Sequence, residues 1–428
     1  MLDDLATAAY EALREKQYAQ ALELYRKALL EKPLQTAENY SRASFAANRC
    51  NEHNTSFKWA QKAYEIDPEN PLVLQALAWA FYFYLNFLKD RASSDFIISW
   101  LTRLASKTIP ETAKPFALAV IQAVPRLLDK EMPPFLSITR WLNQINPEIL
   151  SNEPIIIQAN EQNRMELASQ RETLWALRTQ VLYEAGWYTE CIDMCNQALN
   201  QPIHWHYNND IWINRRKALS CEALGQHKEA ITIYEKLLSH REEWFIHYEY
   251  ARLLKTQGDI NKSQEHAARA LLAEGQLSSK IHLIKFTAQT LQESGRSREA
   301  ELHYLLWIGI YQEKGWRIPE TSDLKNEWIN AQHDVKKLLS EARKLWREWQ
   351  YLSQPRLKGV IIRMNEGNLS GFILAENGKN LYFSRNDWQN PTVEPRKGLK
   401  VEFIVVQRTH PKTQKVVDNA IQVRPIDK

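Results

Sequence analysis

The sequence predicts an α-helical repeat solenoid followed by a small all-β, five-stranded barrel. Three observations carry this reading: a pattern of glycine, tyrosine, alanine and proline that recurs before Gln312, a change of hydrophobic period from 3.6 to 2 after Leu357, and a shift of composition near Pro355. The chain has 428 residues, enough for about two to four domains. Its 44% hydrophobic and 25% charged residues are those of a folded globular protein. Only 12 residues are glycine and none precedes Gly186, which removes Gly-rich phosphate loops and dinucleotide fingerprints from the first 185 residues.

The repeats come first. In LREKQYAQALELYRKALLEKP (13–33), Tyr18, Ala21, Tyr25, Ala28 and Pro33 stand at offsets 0, 3, 7, 10 and 15, which puts four residues on one helical face and ends the helix at proline. Ala63 and Pro68 close a second copy. Gly186, Tyr188, Cys191 and Ala198 mark a third; Gly225, His227, Ala230 and Tyr234 a fourth; Gly258, Ile260, Ser263, Ala267 and Ala270 a fifth; Gly295, Ala300 and Tyr304 a sixth. The glycine steps are 39, 33 and 37 residues. This grammar resembles the tetratricopeptide-repeat (TPR) family, whose unit of about 34 residues is a helix–turn–helix. The resemblance implies a TPR-like solenoid that grips a protein partner on its concave face. Two copies lie in 1–71 and four in 172–320, while 72–171 reads as divergent helical repeats or an inserted helical layer. The most apolar stretch, Leu72 to Leu88, holds Gln75 and Asn86 and is shorter than the ~20 residues a bilayer needs, so it reads as a buried helix and no membrane partner is expected.

Residues 321–354 predict one long helix, capped by Ser322 or Asp323. Leu324, Trp328, Ala331, Val335, Leu338, Ala342, Leu345 and Trp349 follow at steps of 4 and 3, a seam of about 39 Å at 1.5 Å per residue. It has two readings, a capping helix packed into the array or a zipper that pairs with a second copy; Ile329, Leu339 and Trp346 widen the apolar face and favour the first.

From 355 to 428 the chain carries 13 Lys and Arg against 7 Asp and Glu, a net +6, which leaves −2 for everything before it. Segments VIIRM, SGFILA, NLYFS, LKVEFIVVQ and NAIQV alternate in period 2 between Gly, Asn and Pro turns, as five strands do. GVIIRMNEGNLSGFI (359–373) and NLYFSRNDW (380–388) resemble the two RNA-binding motifs of the cold-shock family of OB-folds, and the related S1 barrels stay open as the alternative. The resemblance implies a sheet face on which unstacked bases lie. Carried over by position, it assigns Phe372 and Tyr382 to two surviving rings. Arg363 stands where the family usually has Trp, Ser370 where it has Phe, Ser384 where it has His and Arg385 where it has Phe. Arginine can stack on a base while contacting phosphate, so Arg363 and Arg385 join the candidate site, with Lys358 as a further cation and Trp388 as an additional ring.

Catalytic constellations are sparse. The chain has no G-x-x-x-x-G-K-[ST], H-E-x-x-H or G-x-S-x-G, and Cys191 and Cys195 read as packed thiols rather than half a metal site. His204 and His206 flank Trp205 in a segment read as an inter-repeat loop with exposed imidazoles and no acidic partner in register. With four cysteines and no apolar leader after Met1, the expected compartment is the reducing cytoplasm. The expectation is a non-enzymatic adaptor without cofactor or metal, binding protein through the solenoid and single-stranded RNA or DNA, RNA favoured, through the barrel. TPR arrays joined to such barrels look similar to bacterial regulatory and anti-phage defence components. Two alternatives stand beside it: a pure protein scaffold whose barrel docks to protein, and a solenoid that itself binds RNA.

Overall fold

The computed structural model describes residues 2–160, 163–320, 324–365, 370–390, 392–409 and 416–426. The chain divides into two compact units, Met1–Ile233 and Tyr234–Lys428, a division inside a helix rather than at the composition boundary near Pro355.

The first unit opens with two helical hairpins, α1 (Leu2–Arg14) with α2 (Tyr18–Ala28) and α3 (Ala37–Arg49) with α4 (His53–Ile66), and continues with α5 (Pro71–Leu88), α6 (Ser94–Ala105), α7 (Pro110–Leu128) and α8 (Phe135–Gln144), where α5 packs chiefly against α4 and α7 rather than against α6. A strand pair, β1 (Ile155–Asn160) and β2 (Asn163–Leu167), follows, then α9 (Gln170–Glu184), α10 (Tyr188–Leu199), α11 (Asn209–Ala223) and α12 (His227–His240), the helix that crosses the division. The second unit continues with α13 (Trp244–Thr256), α14 (Ile260–Leu272), α15 (Ile281–Glu293), α16 (Ser297–Lys314), α17 (Asn326–Asn330) and α18 (Val335–Trp349). The barrel follows as β3 (Leu357–Met364), β4 (Ser370–Ala375), β5 (Asn380–Ser384), β6 (Lys400–Thr409) and β7 (Val416–Pro425).

The repeat grammar has a physical basis in every copy. Ala21, Tyr25, Ala28, Ala63, Cys191, Ala198, Ala230, Tyr234, Ser263, Ala267, Ala270, Ala300 and Tyr304 are all essentially inaccessible to solvent, whereas Tyr18, Tyr188, His227 and Ile260 at the start of their helices are only partly buried. Small residues let the paired helices approach and the ring fills the space beyond them. The turn between the helices is equally regular. Gly186, Gly225, Gly258 and Gly295 take φ between +73° and +80°, and the next residue's N–H returns to a carbonyl five residues back, as in Trp187 N–H to Leu182 O at 3.0 Å. In the two N-terminal hairpins the same turn is held by Lys16 (φ 63°) and Asn51 (φ 61°), with Gln17 to Ala12 and Glu52 to Ala47 bonds of 2.9 Å. A glycine-free N-terminal segment therefore forms the same motif, at the cost of two side chains in the left-handed region.

Three expectations are corrected. Residues 72–171 are not wholly helical, because the β-branched run Ile155–Ile157 after Pro154 forms β1 and pairs antiparallel with β2. The helix expected over 321–354 is broken: α17 ends at Asn330, and α18 starts afresh where the Asp334 carboxylate accepts the Lys337 N–H at 3.0 Å. The caps proposed at Ser322 and Asp323 lie outside the described residues. His206 is not an exposed imidazole, since its Nδ1 lies 2.7 Å from the fully buried Glu172 carboxylate, which also accepts the His206 and Asn209 N–H groups.

Helix α5, within a stretch long and apolar enough to cross a membrane by length and composition, buries Val73, Leu74, Leu77, Phe81 and Leu85 inside the first unit. The seam of α18 is likewise occupied within its own unit. Val335, Ala342, Trp346 and Trp349 are buried against α14 and α16, and the Trp346 indole N–H donates to His303 Nε2 at 2.9 Å. His303 Nδ1–H donates in turn to the Glu299 carbonyl at 2.7 Å, which fixes the neutral tautomer.

Two predictions follow from these contacts. Lys16→Gly removes a side chain from the left-handed region and stabilises the fold by up to about 1 kcal/mol, read as a higher urea midpoint; Asn51→Gly gains less, because asparagine tolerates that region, and a loss in both would contradict the turn assignment. Burial pushes His303 down from 6.5 to about 4. Below pH 6.5 the unfolded imidazole takes up a proton that the folded one refuses until about pH 4, so stability falls as pH drops through that window, by about 3 kcal/mol from this group. Urea titrations at a series of pH values measure it, and His303→Gln should flatten the dependence.

Candidate nucleic-acid interface

The barrel closes in the order β3-β4-β5-β7-β6, with β5 and β7 parallel and the other neighbours antiparallel, the connectivity of an OB-fold. Ile361, Ile373, Leu381, Phe383, Val401, Phe403 and Ala420 fill its interior. Strand alternation then fixes what faces out. Gly371, Ile373 and Ala375 point inward on β4, so Ser370, Phe372 and Leu374 point outward; Leu381 and Phe383 point inward on β5, so Tyr382 points outward. A bulge on β3 between Ile361 and Arg363 resets the phase and brings Arg363 opposite Phe372.

One row therefore crosses the sheet: Arg363 pairs with Phe372, Phe372 with Tyr382, and Tyr382 with Asn419. The Arg363 guanidinium lies 4.6 Å from the Phe372 ring centroid, and the Phe372 and Tyr382 rings meet edge to face at 5.6 Å. Tyr382 is 36% exposed and Leu374 beside the row 42%. The arrangement offers a guanidinium plane and two ring surfaces to solvent within a few ångströms of each other. Gly371 makes the close packing beneath it possible: a Cβ there would meet the Arg363 carbonyl oxygen at 2.7 Å and Phe383 Cε1 at 2.8 Å.

The other sequence-assigned residues are placed elsewhere. Arg385 forms a two-pronged ion pair with Glu394, both contacts at 2.7 Å, and this pairing holds the Glu394 carboxyl below its usual range. Trp388 packs over the barrel interior beside Phe383, and its indole N–H is shared between the carbonyls of Asn390 (2.7 Å) and Val393 (2.8 Å). It is a plug for the loop that follows rather than a further ring on the face. Lys358 is exposed at the start of β3, about 16 Å along the strand from Arg363, and pairs in register with Glu402. Ser384 is spent locally, donating both N–H and O–H to Asp387.

Sequence reading missed the residues that anchor the barrel to α18. Gln422 takes φ 48° in a bulge of β7 and donates to the carbonyls of Glu348 (2.8 Å) and Arg347 (3.3 Å), while its own carbonyl and side-chain oxygen accept from Arg356, each at 3.0 Å. The positive φ of a non-glycine residue inside a strand has no pattern in the sequence to announce it. Arg408 on β6 was missed as well; it pairs with Asp387 at 3.3 Å and stays half exposed.

The first unit holds a groove of about 680 Å³ lined by Phe45, Asn48, Arg49, Trp79, Phe83 and Asn86. Asn48 is 8% exposed, and its side-chain amide N–H groups have no partner among the described residues.

No protein-family model and no curated protein matches this chain. Among solved structures, a tetratricopeptide repeat protein from Parabacteroides merdae aligns over 67% of this chain and 98% of its own at 13% identity and TM-score 0.30. The human IFIT1 dimer with m7Gppp-AAAA aligns over 79% and 72% at 16% identity and TM-score 0.33, and Pseudomonas aeruginosa pilF over 65% and 96% at 14% identity and TM-score 0.29. On its own geometry the chain is an array of helices paired through a recurrent left-handed turn, followed by a closed five-stranded barrel with OB-like strand order.

Proposed function

We propose that this protein is a non-enzymatic, cytoplasmic adaptor whose barrel binds single-stranded nucleic acid, RNA favoured, and whose helical hairpins hold a protein partner. The observation that carries the reading is the outward row Arg363, Phe372 and Tyr382. Bases of any identity present a π-face to such rings, each stack being worth about 1–3 kcal/mol, and a guanidinium adds both stacking and charge. Arg385 is withdrawn from the face by Glu394, which makes the row narrower than the family pattern implies and points to few bases and little sequence preference. The groove at Asn48 and Trp79, with its free amide donor beside rings, suits an extended peptide of the protein partner.

Fluorescence anisotropy of the full chain with a labelled oligouridylate tests this at about 50 mM and about 200 mM salt. Phe372→Ala and Tyr382→Ala should each weaken binding by about 1–3 kcal/mol without changing the salt dependence, and Glu394→Gln, which releases Arg385, should tighten it. No binding at the lower salt contradicts the reading and leaves protein docking on the same face.

A further inference from the structure

The exposed side of α18 carries a line of positive charge that the packing of this helix does not use. Lys336, Ser340, Arg343 and Arg347 follow at steps of four, three and four, with Lys344 beside the last two, and all five are exposed. They face away from Val335, Ala342, Trp346 and Trp349, which already anchor the helix. Arg343 and Arg347 repel one another at i,i+4, which costs an isolated helix a few tenths of a kcal/mol, so the stripe works against the fold rather than for it.

Two grooves run along this side and share Lys344 and Arg347. One, of about 320 Å³, is walled by Lys336, Arg343 and their neighbours on α18. The other, of about 590 Å³, lies between α18 and the barrel, where Lys344 and Arg347 face Asn386, Gln389 and Arg408. Its acidic members are Glu348 and Asp387, the latter already paired with Arg408. Strand register connects the cleft to the stacking row: Asn386 follows Tyr382 by four residues, and Arg408 lies two residues beyond Val406, which pairs with the Asn419 that flanks Tyr382.

We propose that α18 is the backbone-binding half of the interface. A single strand whose bases stack on Phe372 and Tyr382 continues past Arg408 and lays its phosphates along Lys344, Arg347, Arg343 and Lys336, a track of about 17 Å. This inference rests on the reading of the barrel as a nucleic-acid binder. It assigns the two halves different work: the barrel supplies stacking and the helix supplies charge.

The test is anisotropy of the full chain with labelled oligouridylates of about 4 nucleotides, the short end of the site sizes an OB-fold takes, and about 12 nucleotides, across a salt series. The variant is Arg343→Gln, Lys344→Gln and Arg347→Gln combined; the circular dichroism spectrum and urea midpoint check that it is folded, and Lys336→Gln alone serves as the milder variant. The expected result is that the triple variant weakens the longer oligonucleotide and makes its log affinity against log salt shallower by about 2, at about 0.7 per phosphate contact, and that Lys336→Gln does so by about 0.7. The shorter one, which spans only the barrel face, keeps its affinity. Unchanged slopes with intact binding overturn the track and leave the barrel reading standing. Equal weakening of both lengths also overturns the track. Binding of neither length by the unsubstituted chain overturns both.

Discussion

The alternation of side chains along β4 and β5 is the constraint on which the rest depends. With Gly371, Ile373, Leu381 and Phe383 committed to the barrel interior, Phe372 and Tyr382 face outward, side by side. A slip of one residue in either strand would send a ring into a space already filled and expose an interior residue in its place. The cost of such a slip is several buried side chains at once, so the register is strongly specified by the core. The outer face inherits its geometry from that specification: two rings meeting edge to face, with an arginine over one of them. Cross-strand contact between the rings steadies the sheet modestly, but two rings and an arginine gathered in one outward row of a barrel whose core is already full are more than that packing requires, and that is the argument for assigning them a ligand.

A second set of contacts decides how the barrel is presented. Gln422 leaves the regular strand at a bulge and hydrogen-bonds the last carbonyls of α18, while Arg356 closes the bracket from the other side. The segment between them is tied to α14, where Arg269 donates to the Gln350 carbonyl at 3.2 Å and the Ser353 N–H donates to Glu265 at 2.8 Å. These bonds engage β7 and the segment before β3, and they leave the row from Arg363 to Tyr382 uncovered. The helix that receives the barrel is itself held by the His303 to Trp346 bond, a neutral imidazole that accepts an indole proton in a site without water access. Burial is the main reason this imidazole stays neutral, and protonating it would set Nε2–H against the indole N–H; the Glu299 carbonyl pulls the other way and is outweighed.

Much of this was legible in the sequence because it is periodic. The recurring Ala, Tyr and Gly positions are packing and turn requirements, so they repeat wherever the hairpin repeats, and the period-2 segments after Leu357 mark the barrel for the same reason. What escaped was set by contacts without a period. Arg385 sits where the cold-shock pattern that the sequence resembles has a ring, but its fate was decided by Glu394, nine residues on. Trp388 lies just past the end of β5, where alternation no longer tells in from out. The break before α18 was hidden because Ala331 and Val335 keep the seam in phase across it; the Asp334 cap was the signal that could have shown it. Glu172 and His206 are 34 residues apart and meet through tertiary structure alone. Lys16 and Asn51 show the converse, a turn that needs a left-handed residue but does not insist on glycine.

The account stands on the outward row being a surface for unstacked bases. Photo-crosslinking reads this directly: the full chain is irradiated with a single-stranded oligonucleotide carrying 5-iodouracil, digested, and the linked peptides are identified by mass spectrometry. Adducts on the peptides bearing Phe372 and Tyr382 are the expected result. Adducts confined to the helical hairpins, or none above the level seen with a duplex of the same sequence, would contradict it.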